Sequence, residues 1–417
     1  MVRPKYSKTE ASRLVQFDED DIREMERDCD FHSYLEAFAE PPDPDITDAY
    51  TWDSLSIYSG HIDTNTPIRY GIELEVDRKC NDRWFDFIGA MTTVTKHCIR
   101  VEEDVGTFRG FLFVKPETAI SKCGIEVVSV PATLPSHILG FEWVEILNGL
   151  RDANYGSARP AQKPYHIHSG IPTVCGLHIH INRSDMIFAA GGSERGIEIL
   201  LYLIERFKRE LLVLSRRYRK QFYYWTCPFS TSNKNSQMRR AAQGVVGYPV
   251  VKLPTLDNGR SIREFYDICL HEASKFDPQR VKNDQTNREI RYRTLNFTPP
   301  ETIELRMWMG TLDDVAFHSS LMITDMLVQL ALELCSYDER DILGFEWDFI
   351  ENYALEHYSR NTTLFGTEIY PICCLEPHRQ EIMLQALELP TQYISRMKHY
   401  SQKYSQPWTC YAEPGRF

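Results

Sequence analysis

Two pairs of ionisable side chains lie two residues apart within short apolar segments of this 417-residue chain. Glu73 and Glu75 form the first pair, and His178 and His180 form the second. In a β-strand, residues two positions apart point to the same face and are roughly 7 Å apart. Like charges so placed repel each other, and a divalent cation between them would remove that repulsion. Taken alone, the glutamate pair fits a metal site and a half-solvated strand with a polar outer face about equally well.

Two further segments also place charged side chains among apolar residues. Glu126 interrupts the apolar segment 123–131, where a charge is costly unless it is paired or bound to a metal. In segment 301–309, one predicted face is polar and consists of Thr302, Glu304, Arg306 and Trp308. The other predicted face is apolar and consists of Ile303, Leu305, Met307 and Met309.

If these four segments belong to one sheet, their polar faces line a shared concavity and their apolar faces pack on helices. The side chains expected in the concavity are Glu73, Glu75, Glu126, His178, His180, Glu304 and Arg306. A ligand set so rich in oxygen favours Mg²⁺ or Mn²⁺ over Zn²⁺. Because proteins often hold Mg²⁺ through substrate phosphates, the site suggests ATP, with Arg306 as an anion anchor beside Glu304.

The elements that must position these side chains follow from periodicity and capping. Strands are predicted over 68–77, 111–115, 123–131, 164–168, 174–182 and 301–309. An amphipathic helix is predicted over 193–220, and a second helix runs from Asp313 and Asp314 to about Cys335. The chain is divided into an N-terminal arm (1–66), a catalytic domain (67–337) and a helical C-terminal extension that packs on it (338–417).

Composition narrows the classes of function. The net charge of −12 and the pI of about 5.6 argue against non-specific binding of nucleic acids, which requires a basic surface. The 11 cysteines are scattered and odd in number, which suits reduced thiols in a cytoplasm. The N-terminus has no signal-peptide pattern, and no run of about 18 apolar residues occurs. We therefore expect a cytoplasmic protein that does not bind a membrane.

Five motifs, taken in order, resemble the amidoligase family, a branch of the carboxylate–amine ligase superfamily related to glutamine synthetase and glutamate–cysteine ligase. The motifs are Tyr-Gly-Ile-Glu-Leu-Glu (70–75), Gly-Ile-Glu-Val-Val-Ser-Val-Pro (124–131), Cys-Gly-Leu-His-Ile-His (175–180), Arg-Tyr-Arg-Thr-Leu-Asn (291–296) and Thr-Ile-Glu-Leu-Arg-Met-Trp-Met-Gly-Thr-Leu (302–312). Each motif is weak alone. Their joint order and spacing over about residues 68–335 carry the resemblance.

The resemblance implies an α+β fold with a curved antiparallel sheet of the glutamine synthetase catalytic type, helices packed behind it, and helical N- and C-terminal additions. It also implies that ATP and Mg²⁺ (or Mn²⁺) bind in the concavity. The implied metal ligands are Glu73, Glu75, Glu126, His178 and Glu304. The implied nucleotide contacts are His180, Arg306, Arg291 and Asn296. Arg306 and Glu304 would be the catalytic residues.

The predicted function is that of an ATP- and Mg-dependent carboxylate–amine ligase, which forms an amide or peptide-like bond through an acyl-phosphate intermediate. Its partners would be a small-molecule or peptide carboxylate and an amine. Two alternatives stay open on the sequence alone. A non-catalytic structural or interaction protein could retain the ligase fold. A metal-dependent hydrolase would use the His-x-His pairs His166/His168 and His178/His180, although no third nitrogen ligand is evident.

Overall fold

The computed structural model describes the chain in blocks separated by gaps. The described residues are 68–76, 99–101, 112–116, 125–129, 131–134, 137–138, 143–151, 168–169, 171–172, 175–215, 226–231, 250–275, 292–358 and 377–395. The strands are β1 (Arg69–Val76), β2 (Ile99–Val101), β3 (Leu112–Pro116), β4 (Ile125–Ser129), β5 (Ala132–Thr133), β6 (His168–Ser169), β7 (Ile171–Pro172), β8 (Gly176–Asn182), β9 (Leu295–Asn296) and β10 (Thr302–Met309). The helices are α1 (Trp143–Arg151), α2 (Arg183–Ala189), α3 (Arg195–Arg206), α4 (Lys208–Ser215), α5 (Ile262–Ala273), α6 (Asp314–Glu333), α7 (Glu339–Gly344), α8 (Trp347–His357) and α9 (Pro377–Leu387). The predicted arm 1–66 and Arg291 lie outside the described residues.

Most of the strands belong to one eight-stranded sheet with the order β2-β3-β4-β1-β8-β10-β9, in which β5 also pairs with β1. Its pairings are antiparallel, except that β2 lies parallel to β3. Strands β6 and β7 form a separate two-stranded sheet. The described part of the chain is therefore α+β, with an open and mostly antiparallel sheet accompanied by helices, as the sequence predicted at that level.

One face of the large sheet is apolar and packs on helices. Its fully buried side chains in the central strands are Tyr70, Ile72, Leu74, Leu177, Ile179, Ile181, Ile303 and Leu305. Burial of each such side chain contributes about 1.5–3 kcal/mol to folding. Two hydrogen bonds fix α6 against this face. The Tyr70 hydroxyl donates to Asp325 Oδ1 at 2.7 Å, and Trp308 Nε1 donates to Thr324 Oγ1 at 2.9 Å.

The helix predicted over 193–220 is two helices, and the prediction of one continuous helix was wrong. Helices α3 and α4 are joined at Phe207, which has φ −103° and ψ 26°. The Phe207 ring packs edge-on against Trp347, with 5.5 Å between the ring centroids, and α4 packs on β10. Tertiary packing overrides the local helical preference at this position. Residues 216–220 lie outside the described part.

Helix α6 begins where capping predicted. Asp313 is its N-cap, and the carboxylate accepts a hydrogen bond from the Ala316 N–H at 2.9 Å. By length and composition alone, the segment Asp314–Ser336 would be sufficient to span a membrane. However, 83% of its most apolar window is buried inside the protein. Burial within the fold thus accounts for its hydropathy.

Strand β4 lies within the range 123–131 that was predicted as a strand, and β5 begins just after that range, at Ala132. Strands β4 and β5 flank Pro131, which has no N–H to donate to a sheet. Near this break a side chain replaces a main-chain partner of β1: His137 Nε2 lies 2.7 Å from the Tyr70 carbonyl oxygen. Trp143 Nε1 lies 3.4 Å from the other ring nitrogen, His137 Nδ1. The His137 side chain therefore provides a hydrogen-bond partner for the Tyr70 carbonyl near this break.

A β-bulge in β10 corrects the predicted faces of two residues. Leu305 pairs with Ile179, but Trp308 pairs with Leu177, so β10 advances three residues while β8 advances two. The extra residue reverses the alternation beyond it. Trp308 was predicted on the polar face and instead lies fully buried on the apolar face. Met309, predicted to be on the apolar face, falls on the opposite side.

The described C-terminal helices contact the rest of the fold at several points. The Tyr358 hydroxyl donates to Asp325 Oδ2 at 2.9 Å. The Thr391 hydroxyl lies 2.8 Å from the Tyr358 carbonyl oxygen, and Arg206 Nη2 lies 2.9 Å from Glu346 Oε1. The boundary between a catalytic domain and an extension at residue 337 stays a prediction.

Candidate metal and phosphate site

Strand pairing brings the predicted metal ligands onto one face of the large sheet. The opposed pairs are Glu75 with Glu126, Glu73 with His178, and His180 with Glu304. Directly opposed residues in an antiparallel pair project to the same side. The strands β4, β1, β8 and β10 therefore bring all six side chains together, on the face opposite α6.

Glu73 lies at the centre of this cluster. Its Oε2 lies 3.3 Å from His178 Nδ1, and its Oε1 lies 3.1 Å from His180 Nε2. His178 Nδ1 also lies 3.4 Å from Glu304 Oε1. One carboxylate thus contacts both imidazoles of β8, and the imidazole of His178 connects β1 to β10.

Two overlapping sets of ligand atoms have the spacing that a metal ion requires. Glu73, His180 and Glu304 form one set, and Glu73, Glu126 and His178 form the other. Within each set, the ligand atoms lie within 4.8 Å of one another. Buried carboxylate oxygens and imidazole nitrogens at such distances suit a divalent cation. Glu73 belongs to both sets, so its two oxygens are positioned to serve two ions.

The charge balance of this face also fits a cation. Among the side chains that the structure describes on this face, four are glutamates and one is a guanidinium, that of Arg306. Buried carboxylates are costly without compensating charge. Burial lowers the pKa of His180, but the carboxylates of Glu73 and Glu304 outweigh it, so the net shift is upward. Closely spaced carboxylates of this kind are the ligands that a divalent cation takes.

Arg306 and Glu304 form a direct ion pair beside the first ligand set. Arg306 Nη1 donates to Glu304 Oε1, and the guanidinium carbon lies 5.7 Å from the centroid of the Tyr292 ring. Burial opposes the charged forms of both groups, but their mutual attraction lowers the pKa of Glu304 and raises that of Arg306. Arg306 Nε makes no hydrogen bond within the described residues. The guanidinium is therefore a charged, buried donor of the kind that binds phosphate oxygens.

Asn296 was predicted to contact the nucleotide, and its observed contact is with Glu304. Asn296 Nδ2 donates to Glu304 Oε2 at 2.6 Å. Its Oδ1 accepts a hydrogen bond from the Thr298 N–H at 3.0 Å, which fixes the orientation of the amide. Asn296 thus holds a predicted metal ligand in place. Its contact with a nucleotide stays a prediction, as does that of Arg291.

Glu75 differs from the other predicted metal ligands. Among the described residues it belongs to neither set of three. Its Oε2 accepts a hydrogen bond from the Gly176 N–H, and its Oε1 lies 4.0 Å from His178 Nε2. Its side chain lies on the shared face, and its role as a ligand stays a prediction.

Thr302 and Tyr292 belong to the cluster but were not singled out in the sequence. Thr302 Oγ1 lies 3.0 Å from His180 Nδ1. Strand alternation already predicted Thr302 on the same face as Glu304, and this alternation was the available signal. Tyr292 lies within the motif 291–296, but no feature of the motif indicated which strand it would approach.

One member of the second His-x-His pair, His168, belongs to a different sheet from the cluster. His168 begins β6, which belongs to the separate two-stranded sheet. His166 lies outside the described residues. The described ligand sets therefore remain dominated by carboxylate oxygens, which weakens the analogy with nitrogen-rich zinc sites.

Neither a model of a known protein family nor a curated protein sequence matches the chain. Among solved structures, a similar chain is that of a bifunctional glutathione synthetase from Pasteurella multocida, with 14% identity and a TM-score of 0.28. The match covers 88% of this chain and 52% of that one, so the protein spans about half the length of this relative. At such an identity and TM-score, the likeness assigns neither a fold nor a function.

Proposed function

We propose that the protein is an ATP- and Mg²⁺-dependent carboxylate–amine ligase that forms an amide or peptide-like bond through an acyl phosphate. The observation that supports the proposal is the pair of ligand sets that share Glu73, with Arg306 bound to Glu304 beside one of them. The proposal includes a sheet of the glutamine synthetase catalytic type, since the open antiparallel sheet carries these side chains on its polar face.

The proposed metal ligands are those that the strands bring together. They are Glu73, Glu75, Glu126, His178 and Glu304, with His180 available to a metal or to the nucleotide. When bound, the ions would neutralise charge on the β- and γ-phosphates of ATP. Mg²⁺ and Mn²⁺ suit this set because its donors are mainly carboxylate oxygens.

The reaction needs an activated carboxylate, because a free carboxylate does not react with an amine at neutral pH. Attack of the substrate carboxylate on the γ-phosphorus of ATP yields an acyl phosphate and ADP. Attack of the amine on the acyl carbon then forms the amide and releases phosphate and a proton. The contribution of the protein is to position the reactants and to stabilise charge.

Arg306 would bind the equatorial oxygens of the migrating phosphoryl group. Its ion pair with Glu304 and its position over the Tyr292 ring hold the guanidinium before the substrate arrives. A preorganised donor of this kind is worth about 3–4 kcal/mol of barrier, or about 10²–10³ in rate. Asn296 supports the arrangement by orienting Glu304.

An ATP-to-ADP assay over pairs of carboxylates and amines, with Mg²⁺ present, tests the proposal. Arg306→Ala should lower turnover by about 10²–10³ and leave the fold intact. The matched control is Arg263→Ala, because Arg263 lies on α5 and its side chain is 52% exposed. Near-normal turnover by Arg306→Ala would overturn the assignment of Arg306.

Calorimetric titration with ATP separates the ligase from the two alternatives. Mg²⁺-dependent ATP binding together with turnover supports a ligase. ATP binding without turnover over the whole screen favours a non-catalytic interaction protein. Stoichiometric zinc that resists dialysis, without ATP binding, favours a hydrolase and contradicts the proposal.

A further inference from the structure

The two ring nitrogens of His180 face different groups. Nε2 lies 3.1 Å from Glu73 Oε1 and points into the ligand set that contains Glu304. Nδ1 lies 3.0 Å from Thr302 Oγ1. His180 is 6% exposed and Thr302 is 3% exposed. Solvent therefore has little access to the contact between the imidazole and the hydroxyl.

The register of β10 with β8 sets this contact. Thr302 stands opposite Asn182, and Glu304 stands opposite His180. Thr302 is therefore the diagonal neighbour of His180 on the polar face, within reach of its side chain. The contact belongs to the regular half of β10, which precedes the bulge after Leu305.

We infer that Thr302 is a positioning residue that directs Nε2 of His180 towards a metal ion in the set formed with Glu73 and Glu304. The inference rests on the proposed function, because it requires that this set bind a divalent cation. A metal-ligating imidazole binds through an unprotonated nitrogen, and its other N–H is held by a nearby acceptor. With Nε2 as the ligating atom, Nδ1–H donates to the Thr302 hydroxyl oxygen.

A hydroxyl group suits this position because it both donates and accepts. Before a cation binds, a proton on Nε2 lies beside the Glu73 carboxylate, 3.1 Å away, while Nδ1 accepts from the Thr302 hydroxyl. In the ligating tautomer, the imidazole has lost the proton at Nε2 and gained one at Nδ1, so its charge is unchanged. The Thr302 hydroxyl then becomes the acceptor. The same side chain satisfies Nδ1 in both states.

The test compares Co²⁺ and Mg²⁺ affinities of full-length variants. Thr302→Val removes the hydroxyl at nearly constant volume and should weaken Co²⁺ binding by about 10–100-fold, as loss of an outer hydrogen-bond partner typically does. Mg²⁺ affinity should fall less, because an imidazole nitrogen contributes more to Co²⁺ than to Mg²⁺. Thr302→Ser retains the hydroxyl and should bind both ions as the wild type does.

Thr324→Val is the matched control. Thr324 carries a buried hydroxyl on α6 that accepts a hydrogen bond from Trp308, on the other face of the same strand. The control should leave both metal affinities unchanged. If Thr302→Val does not fold, Thr302→Cys replaces it, because a thiol fills a similar volume but is a weak hydrogen-bond partner.

The outcomes separate the inference from the proposed function. Equal Co²⁺ affinities of the wild type and Thr302→Val, or an unchanged ratio of Co²⁺ to Mg²⁺ affinity, would overturn the inference and leave the ligase proposal standing. A loss in Thr302→Ser as large as that in Thr302→Val would also overturn it. If the wild type binds neither ion, the proposed function fails and the inference fails with it.

Discussion

Acidification should destabilise this protein in part through the buried imidazole of His137. Its Nε2–H donates to the Tyr70 carbonyl oxygen at 2.7 Å, and its Nδ1 faces the Trp143 N–H at 3.4 Å. An indole N–H only donates, so a proton on Nδ1 would disrupt this contact. The pKa of His137 is lowered from 6.5 to about 4, because burial, with a smaller contribution from the nearby His318, outweighs the upward effect of the hydrogen bond to the Tyr70 carbonyl.

The size and sign of the effect follow from proton linkage. In the unfolded chain His137 takes up a proton below pH 6.5, whereas in the folded protein it does so only near pH 4. Its contribution to stability is therefore complete above pH 6.5 and is lost as the pH falls towards 4. One pKa unit corresponds to 1.36 kcal/mol, so the loss from pH 7 to pH 5 is about 2 kcal/mol, and at pH 4 about 3 kcal/mol.

Urea unfolding at pH 7 and pH 5 measures this contribution. In His137→Gln, the side-chain amide can still donate to the Tyr70 carbonyl but does not titrate in this range. The stability difference between the two pH values should be smaller in this variant than in the wild type by about 2 kcal/mol. His271→Gln, at an exposed position on α5, should keep the wild-type difference. An equal loss of stability in His137→Gln and the wild type would refute the reasoning.

Three further experiments, with five substitutions at four positions, test other parts of the fold and site. Glu73→Gln should weaken both ligand sets and Glu126→Gln only one, so Mn²⁺ titration should show the larger loss for Glu73→Gln, by more than about 100-fold; equal losses would contradict a shared ligand. Gly310→Ala should lower the free energy of unfolding by about 1–3 kcal/mol, because a Cβ there would lie 3.0 Å from the Cys175 carbonyl oxygen; an unchanged urea midpoint would contradict this. Asp313→Ala should lower the free energy of unfolding by about 1 kcal/mol through loss of the N-cap of α6, whereas Asp313→Asn should keep most of that stability; equal losses in the two variants would count against the capping role.

The face that carries the site was predictable because strand alternation is strict wherever pairing is regular. Glu73, His178, His180 and Glu304 each follow the period of two, and their strands pair in registers that oppose them directly. The apolar residues that alternate with them independently predict the same orientation of each strand. The sequence alone therefore identified the cluster, although it did not show which strands would be neighbours.

Other features depend on tertiary contacts, which the hydrophobic periodicity of the sequence cannot predict. The bulge after Leu305 has no local signal, because Arg306, Met307 and Trp308 continue an acceptable alternation. The bend at Phe207 depends on its packing against Trp347, 140 residues further along the chain. Hydrogen bonds that orient the ligands, such as that from Asn296 to Glu304, depend on a short strand that no pattern marked.

The bulge changes which alternate residues of β10 face the helices. Up to Leu305, odd positions face the helices; from Trp308 on, even positions do. If β10 kept its length but paired without the bulge, Trp308 would turn out of the core and Met309 into it, at a cost far beyond one lost contact. The halves of β10 before and after the bulge therefore follow opposite alternations. The polar-face positions of the first half can be substituted to alter the chemistry, while Trp308 in the second half continues to pack against α6.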